Sequence, residues 1–234
     1  MTASARMQDV IAQNLASSSV PGYKKQDVSF STVAAGLTST SGQHYTLTRA
    51  QTSTSFAPGE LRYTGVNTDA AVEGPGFFEV QLPNGSKAYT RDGEFTRNAQ
   101  GQMVTKRGYP VLTTSGPIQF DHNDAGPVSI SPDGVISQGS TPKGRMSIVT
   151  FDRQDLLLQG NGGYFHADNP DVGKTQLATP VIRQGFLESA NTSSVAEMAN
   201  LMTSMRSFEA NEKVIQTQDD RMGKAISDLG NPLP

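Results

Sequence analysis

The chain has 234 residues, a formal net charge of −3, no cysteine and 35% hydrophobic residues, with a mean hydropathy of −0.42. This admits one or two domains with a modest core, excludes disulfides and thiolate metal sites, and leaves Lys and Arg too scattered for a nucleic-acid footprint. The longest aliphatic run, Leu156 to Leu158, is far short of the roughly 20 residues a membrane span requires.

At the N-terminus no basic region precedes an apolar one, so no Sec signal is read there. Instead Ala3, Met7, Val10, Ile11 and Leu15 share one helical face up to about Ser17. So short a helix is marginal alone and is expected to lie along a second helix. The run Ser17-Ser18-Ser19-Val20-Pro21-Gly22 breaks it by turn chemistry. Lys24 and Lys25 follow, and lysines after a helix are ordinarily solvated. From Ala34 to Ala57 the chain is rich in Ser, Thr and Gly, with weak alternation at Tyr45 and Leu47. Two readings stand for it: an extended arm that needs neighbours, or a flexible linker.

Pro58 to Leu112 is dense in hairpin signals. Phe77, Phe78, Val80 and Leu82 end at Pro83-Asn84-Gly85; Ala88 to Thr90 at Arg91-Asp92-Gly93; Phe95-Thr96 at Asn98-Ala99-Gln100-Gly101; Met103 to Thr105 at Arg107-Gly108. Such spacing predicts an antiparallel meander. Val128 to Ile130, Pro132-Asp133-Gly134 and Val135-Ile136 make a further hairpin, and Arg145 to Phe151 one more strand. Phe77 and Phe78 point to opposite faces of any strand, so one can fill the core while the other faces a neighbour or a terminal element, and core packing of at least one is expected. Glycines 74 and 76 let the chain turn into that strand; no Lys-Ser or Lys-Thr follows them to make a phosphate loop.

Catalytic and metal chemistry find little footing. His44, His122 and His166 lie far apart, none at metal-ligand spacing. Asp121, Asp124 and Asp133 sit in turn-like sequence where carboxylates bond nearby amides. The serines lack a Gly-x-Ser-x-Gly context with a His. The expectation is no catalytic, cofactor or metal residue and no cofactor.

The last stretch, Val195 to Leu229, carries the one long amphipathic period. Leu201, Phe208, Ile215, Met222 and Leu229 recur every seventh residue, with Met198, Met205 and Ile226 between them, an a/d seam. Ser194 and Glu197 form a capping-box signal at its start, and Gly230 and Pro232 stop it. Glu212 and Asp219 also occupy seam positions, where burial is unfavourable unless a cation or water answers them. Two readings remain, a helix docked on its own domain and an assembly seam; the narrow stripe, the length and the two carboxylates favour the second. With the N-terminal face, the seam comprises Met7, Ile11, Leu15, Met198, Leu201, Met205, Phe208, Ile215, Met222, Ile226 and Leu229.

Gly74-Pro75-Gly76-Phe77-Phe78, read with Tyr89-Thr90-Arg91-Asp92-Gly93-Glu94-Phe95, resembles the bacterial flagellar rod and hook protein family. Val10 to Ala16 with Asn14, then Gly22-Tyr23-Lys24-Lys25, is similar to that family's N-terminal motif. Gln184 to Asn191, Glu197-Met198 and Glu209 to Ile215 resemble its C-terminal one. The family usually has more residues before Met7, so Met1 reads as a late start or a trimmed end. Ser17-Ser18-Ser19 replaces a commonly Asn-rich turn, and the short central region favours a proximal or distal rod component over a hook protein.

The resemblance implies a structural, non-enzymatic subunit of the basal-body rod that polymerises into a helical tube and transmits torque from motor to hook. It also implies partners among its own copies, other rod and hook subunits and the flagellar type III export apparatus, export without a cleaved signal, and packing of the Tyr23 region between subunits. The expected fold is α+β, mainly β: an antiparallel meander core whose N- and C-terminal helices pair as a coiled coil. The expected domains are residues 1–20 with 190–234 (helical), 21–72 (an arm or linker, partly β) and 73–189 (a β-rich outer domain). The alternative is a soluble β-rich enzyme or peptidoglycan-binding module with flagellar-type export ends.

Overall fold

The computed structural model describes residues 2–38, 44–121 and 126–230, with side chains described except at 2–4, 32–38, 44–49 and 228–230. The side chains of Ala3, His44, Tyr45, Leu47 and Leu229, and residues His122, Asp124 and Pro232, lie outside the described residues. The chain divides into two compact units. One, the helix-bearing unit, comprises Met1–Leu15, Val28–Thr52 and Ser194–Pro234; the other, the sheet unit, comprises Ala16–Asp27 and Ser53–Ser193.

Two helices bracket the chain, α1 (Thr2–Ser17) and α2 (Ser194–Gly230), close to the bounds that periodicity and turn residues predict. The 37 residues of α2 give a rod of about 55 Å at ~1.5 Å per residue. Strands Gln26–Thr38 and His44–Thr54 pair as a two-stranded sheet, and Ser29 Oγ donates to the Gln51 carbonyl at 3.3 Å. Within the Ala34–Ala57 segment, His44–Thr54 is a strand.

The sheet unit is built on six strands in the order Leu158–Gln159, Tyr164–His166, Lys87–Thr90, Phe77–Gln81, Ile148–Phe151, Lys174–Gln176. All its pairs are antiparallel, but the order is not a meander. Ile148–Phe151 returns from far along the chain to cover the edge of Phe77–Gln81. Hairpins at Pro83-Asn84-Gly85, Asn98 to Gly101 and Pro132-Asp133-Gly134 form as expected. The one expected at Arg91-Asp92-Gly93 does not. Lys87–Thr90 is paired on both sides, with Phe77–Gln81 and Tyr164–His166, so Phe95–Arg97 finds no edge there and pairs with Met103–Thr105. Two further ladders bring distant sequence together: Leu61–Tyr63 with Phe186–Glu188, and Ala70–Glu73 with Val181–Gln184.

Period-2 alternation sorts the central sheet between two cores. Phe78, Val80, Ala88, Ile148 and Tyr164 enter one cluster, while Phe77, Tyr89, Val149, Phe151 and Phe165 enter the other. Phe78 meets Phe95 edge-on at 5.0 Å; Phe77 meets Phe56, Phe151 and Phe165 at 5.8, 5.6 and 5.7 Å. Both phenylalanines are core, within the expectation of at least one, because this sheet is covered on both faces.

Glu79 shares the Phe77 face and is almost fully buried. Burial pushes its carboxyl up, but hydrogen bonds from Lys174 Nζ (2.6 Å) and Ser147 Oγ (2.7 Å) and the nearby Lys87 Nζ (3.2 Å) outweigh this and hold it below its ordinary value.

Phe77→Ala and Phe78→Ala are each expected to lower stability by about 3–5 kcal/mol, the range for deleting a buried aromatic. Denaturant melts check this; a loss below ~1 kcal/mol for Phe77→Ala would remove the second core as a stabilising element.

Candidate assembly site: a buried ion-pair node and an uncovered helix

In the sheet unit, three stretches singled out by the sequence meet at one buried point. Lys24 is fully buried, against the solvated expectation, because it has a carboxylate to reach: its Nζ donates to Glu188 Oε1 at 2.6 Å and to the Ala57 carbonyl at 2.9 Å. The other oxygen of Glu188 lies 3.4 Å from Arg91 Nη1. Arg91 also donates to the carbonyls of Val72 (3.2 Å) and Gly74 (2.6 Å) and stacks over the Phe77 ring at 5.0 Å. Its Nε alone among the described buried side-chain atoms has no hydrogen-bond partner. One carboxylate thus serves two cations. Burial pushes the Lys24 ammonium and the Arg91 guanidinium below their ordinary values, and Glu188 pulls both back.

Backbone contacts lock the same point. The Gly22 amide donates to the Glu188 carbonyl at 2.7 Å, and the Asn191 amide to the Tyr23 carbonyl at 3.2 Å. Asn191 Oδ1 accepts from the Lys25 amide at 2.7 Å while Nδ2 donates to the carbonyls of Ser55 and Ala57. Gly22 has φ +66°, and a Cβ there would stand 2.2 Å from the Arg91 carbonyl carbon; one on Gly93 would stand 1.6 Å from the Ala70 oxygen. Only glycine fits either approach. Gly76 is similarly pressed against Ile148 and Val72, whereas Gly74 is open and serves through its carbonyl.

Asp92, next to the node, accepts from the Glu94 amide at 3.0 Å and receives the Thr90 hydroxyl as acceptor for its own amide. Burial raises its carboxyl from 3.8 to about 6 against that amide bond, with Glu94 and Asp69 adding and Lys106 opposing.

Within the helix-bearing unit, α1 buries Val10, Ile11 and Asn14, leaves Leu15 half-buried, and exposes Met7. On α2 the covered face is Glu197, Leu201, Ser204 and Phe208, at helical spacing. Met198 and Met205 of the seam are exposed, and beyond Phe208 every described side chain through Ser227 is exposed. Ile215, Met222 and Ile226 are 41%, 68% and 70% accessible, and Glu212 and Asp219 are exposed beside them.

Among the other candidates, Asp133 lies at a hairpin turn and accepts from the Ser131 hydroxyl, which holds it below the ordinary carboxylate range. His166 is half-buried on its strand. Among the described residues no group of three or more His, Cys, Asp or Glu could hold a metal ion, and no helix is long and apolar enough to cross a membrane.

Residues 71–138 match the family described as "Flagellar hook protein FlgE/F/G D1 domain", and residues 183–228 that described as "Flagellar basal body rod FlgEFG protein C-terminal". The chain is 31% identical to the flagellar basal-body rod protein FlgF of Caulobacter vibrioides, covering 96% of this chain and 92% of that one. It is 33% identical to FlgF of Escherichia coli (93% and 90%) and 31% identical to the rod protein FlgG of Buchnera aphidicola (92% and 91%). The chain belongs to the flagellar basal-body rod protein family. It is a structural rod subunit, from a family of structural proteins and not of enzymes. The ion-pair node joins the two matched segments of this rod protein, Arg91 lying in the first and Glu188 in the second.

Sequence reasoning missed the pairing itself. Glu188 and Asn191 lie within the C-terminal motif, but 164 residues separate Glu188 from Lys24, and no local pattern links them.

Lys24→Met is expected to lower stability by about 1–3 kcal/mol, since it strips the buried Glu188 Oε1 of its ammonium donor; an unchanged denaturant midpoint would count against the node. For Asp92 the folded value lies above the unfolded one, so its contribution is full below pH ~4 and lost as pH rises through about 6. Asp92→Asn is therefore expected to stabilise by up to about 3 kcal/mol at pH 8 and to make little difference at pH 4. Equal effects at both pH values would refute the buried-charge account.

Proposed function

We propose that this rod subunit polymerises through its terminal helices, α1 and α2 pairing as a coiled coil that lines the inner wall of a helical tube while the sheet unit faces outward. The carrying observation is the bare apolar stripe of α2, with Ile215, Met222 and Ile226 exposed in the single chain. Isolated helices draw little stability from propensity, so such a stripe calls for partners. The buried face of α1 (Val10, Ile11, Asn14) and the covered face of α2 (Ser204 buried, Leu201 and Phe208 half-buried) belong to one compact unit, which supports their pairing. Repeated seams of this kind carry torque from motor to hook, with other rod and hook subunits as neighbours at the tube's ends. Delivery through the flagellar type III apparatus completes the reading, and separate helices suit passage through a narrow channel.

Ile215→Lys and Phe208→Asp should leave the sheet unit folded and abolish rod incorporation and motility, because an unpaired charge buried in a seam costs about 3–5 kcal/mol. Normal rods from either variant would refute the seam. In the soluble monomer, amide exchange should be fast before about Pro21 and after about Ser194, with protection between Gly76 and Phe151. Strong protection from Met198 to Ile226 in a verified monomer would instead favour a helix docked on its own chain.

A further inference from the structure

The pair Asn-Gly, in which a backbone amide most easily attacks the preceding side chain because glycine has no Cβ in the way, occurs twice, at Asn84-Gly85 and Asn161-Gly162. Both asparagines are exposed, and both lie in turns between paired strands. Their surroundings differ. Asn84 Oδ1 accepts from the Ser86 amide at 3.0 Å and from the Ser86 hydroxyl at 2.7 Å, which turns the carboxamide toward Ser86. The Gly85 amide donates to the Leu82 carbonyl at 2.9 Å. Nucleophile and electrophile are each held by a bond that the reaction must first break.

At Asn161 nothing holds them. Among the described residues, neither the Asn161 carboxamide nor the Gly162 amide makes a hydrogen bond. The turn is closed beneath them by the Gly160 amide on the Tyr164 carbonyl at 2.7 Å, and Gly162 and Gly163 both have φ +78°, where glycine alone is at ease. An exposed tip with no hydrogen bonds of its own opens at little free-energy cost. The guanidinium of Arg107 lies where a Gly162 Cβ would stand. A cation there favours loss of the amide proton, and Arg107 has no carboxylate partner among the described residues.

We propose that Asn161 is a site of spontaneous deamidation in the folded chain, and that the fold protects Asn84 from the same reaction. The Gly162 nitrogen gives up its proton and attacks Asn161 Cγ; as the new N–Cγ bond forms, the Cγ–Nδ2 bond breaks and Nδ2 leaves as ammonia, the proton going with it. Water then opens the succinimide. Addition at Cγ gives aspartate; addition at the backbone carbonyl gives isoaspartate, with the chain rerouted through Cγ. Nothing is oxidised or reduced. Either product sets a new carboxylate beside the residue that Arg107 approaches, where the guanidinium can answer it. The reaction involves no second copy, so it stands independently of the assembly reading.

The test holds the purified full-length chain in mildly alkaline buffer, native and in denaturant, and follows the acid form at both sites by peptide mapping and mass spectrometry. In the native chain Asn161 should convert about tenfold or more faster than Asn84, the effect of the hydrogen bonds that must break first at Asn84. In denaturant the two should convert at similar rates, because the residue after each asparagine is the same. Asn161→Gln should leave the melting curve unchanged and yield no acid form at that position over the same period. A native chain in which Asn84 converts as fast as Asn161, a native ratio that persists in denaturant, or an Asn161 that stays intact while the unfolded chain reacts would each overturn the proposal.

Discussion

A single carboxylate holds the sheet unit in register with its own ends. Glu188 bonds Lys24 with one oxygen and pairs with Arg91 through the other, while its Oε1 also accepts from the Gly59 amide at 2.8 Å. Replacing buried ion pairs by apolar residues is often neutral or stabilising, so raw stability does not explain such a node. Geometry does. An apolar contact tolerates sliding, whereas a fork of charged bonds to fixed carbonyls does not. The node fixes where residues 22–25 leave the sheet unit relative to residues 188–191, the two points at which the chain comes from α1 and departs toward α2.

The remaining features of that region follow from this fixation. Gly22 and Gly93 are needed because the segments approach too closely for a Cβ. Asn191 uses both ends of its amide to close the gap between Lys25 and the Ser55–Ala57 strand exit. Asp92 is the strained partner: it is buried for the turn it caps, and its raised carboxyl value records the cost of ionising there. The unpartnered Arg91 Nε belongs with it, two local imperfections accepted at a junction where three distant segments must cross.

The sequence made the local hairpins legible because Asn-Gly, Asp-Gly and Asn98-Ala99-Gln100-Gly101 carry their turn chemistry within a few residues. It made both helices legible through periodicity and punctuation. What it hid were relations at long range. Arg91-Asp92-Gly93 looks like one more hairpin, yet Lys87–Thr90 has both edges occupied, one by a strand some 70 residues on. Lys24 looks like a surface lysine because the carboxylate that buries it lies 164 residues away. Which of Phe77 and Phe78 was core stayed open, because nothing local tells whether a sheet is covered on one face or on two. The motif residues were found as landmarks, but their work as donors, acceptors and close approaches emerges only from the fold.

The contrast between the two units bears on how a rod can grow. The sheet unit has two filled aromatic cores, so its stability is internal. The far half of α2 has neither, and its seam is interrupted at Glu212 and Asp219. If two copies of α2 paired with each other in parallel and in register, Glu212 would face Glu212 and Asp219 would face Asp219, like charges in a closing interface. That arrangement is disfavoured by the same residues that would have to be buried. In the proposed assembly such a seam meets a different surface on the next copy, and a contact between two different surfaces leaves one of each free at the growing end. The two carboxylates weaken the helix as a closed dimer and, by the same charge, favour its use in an open assembly.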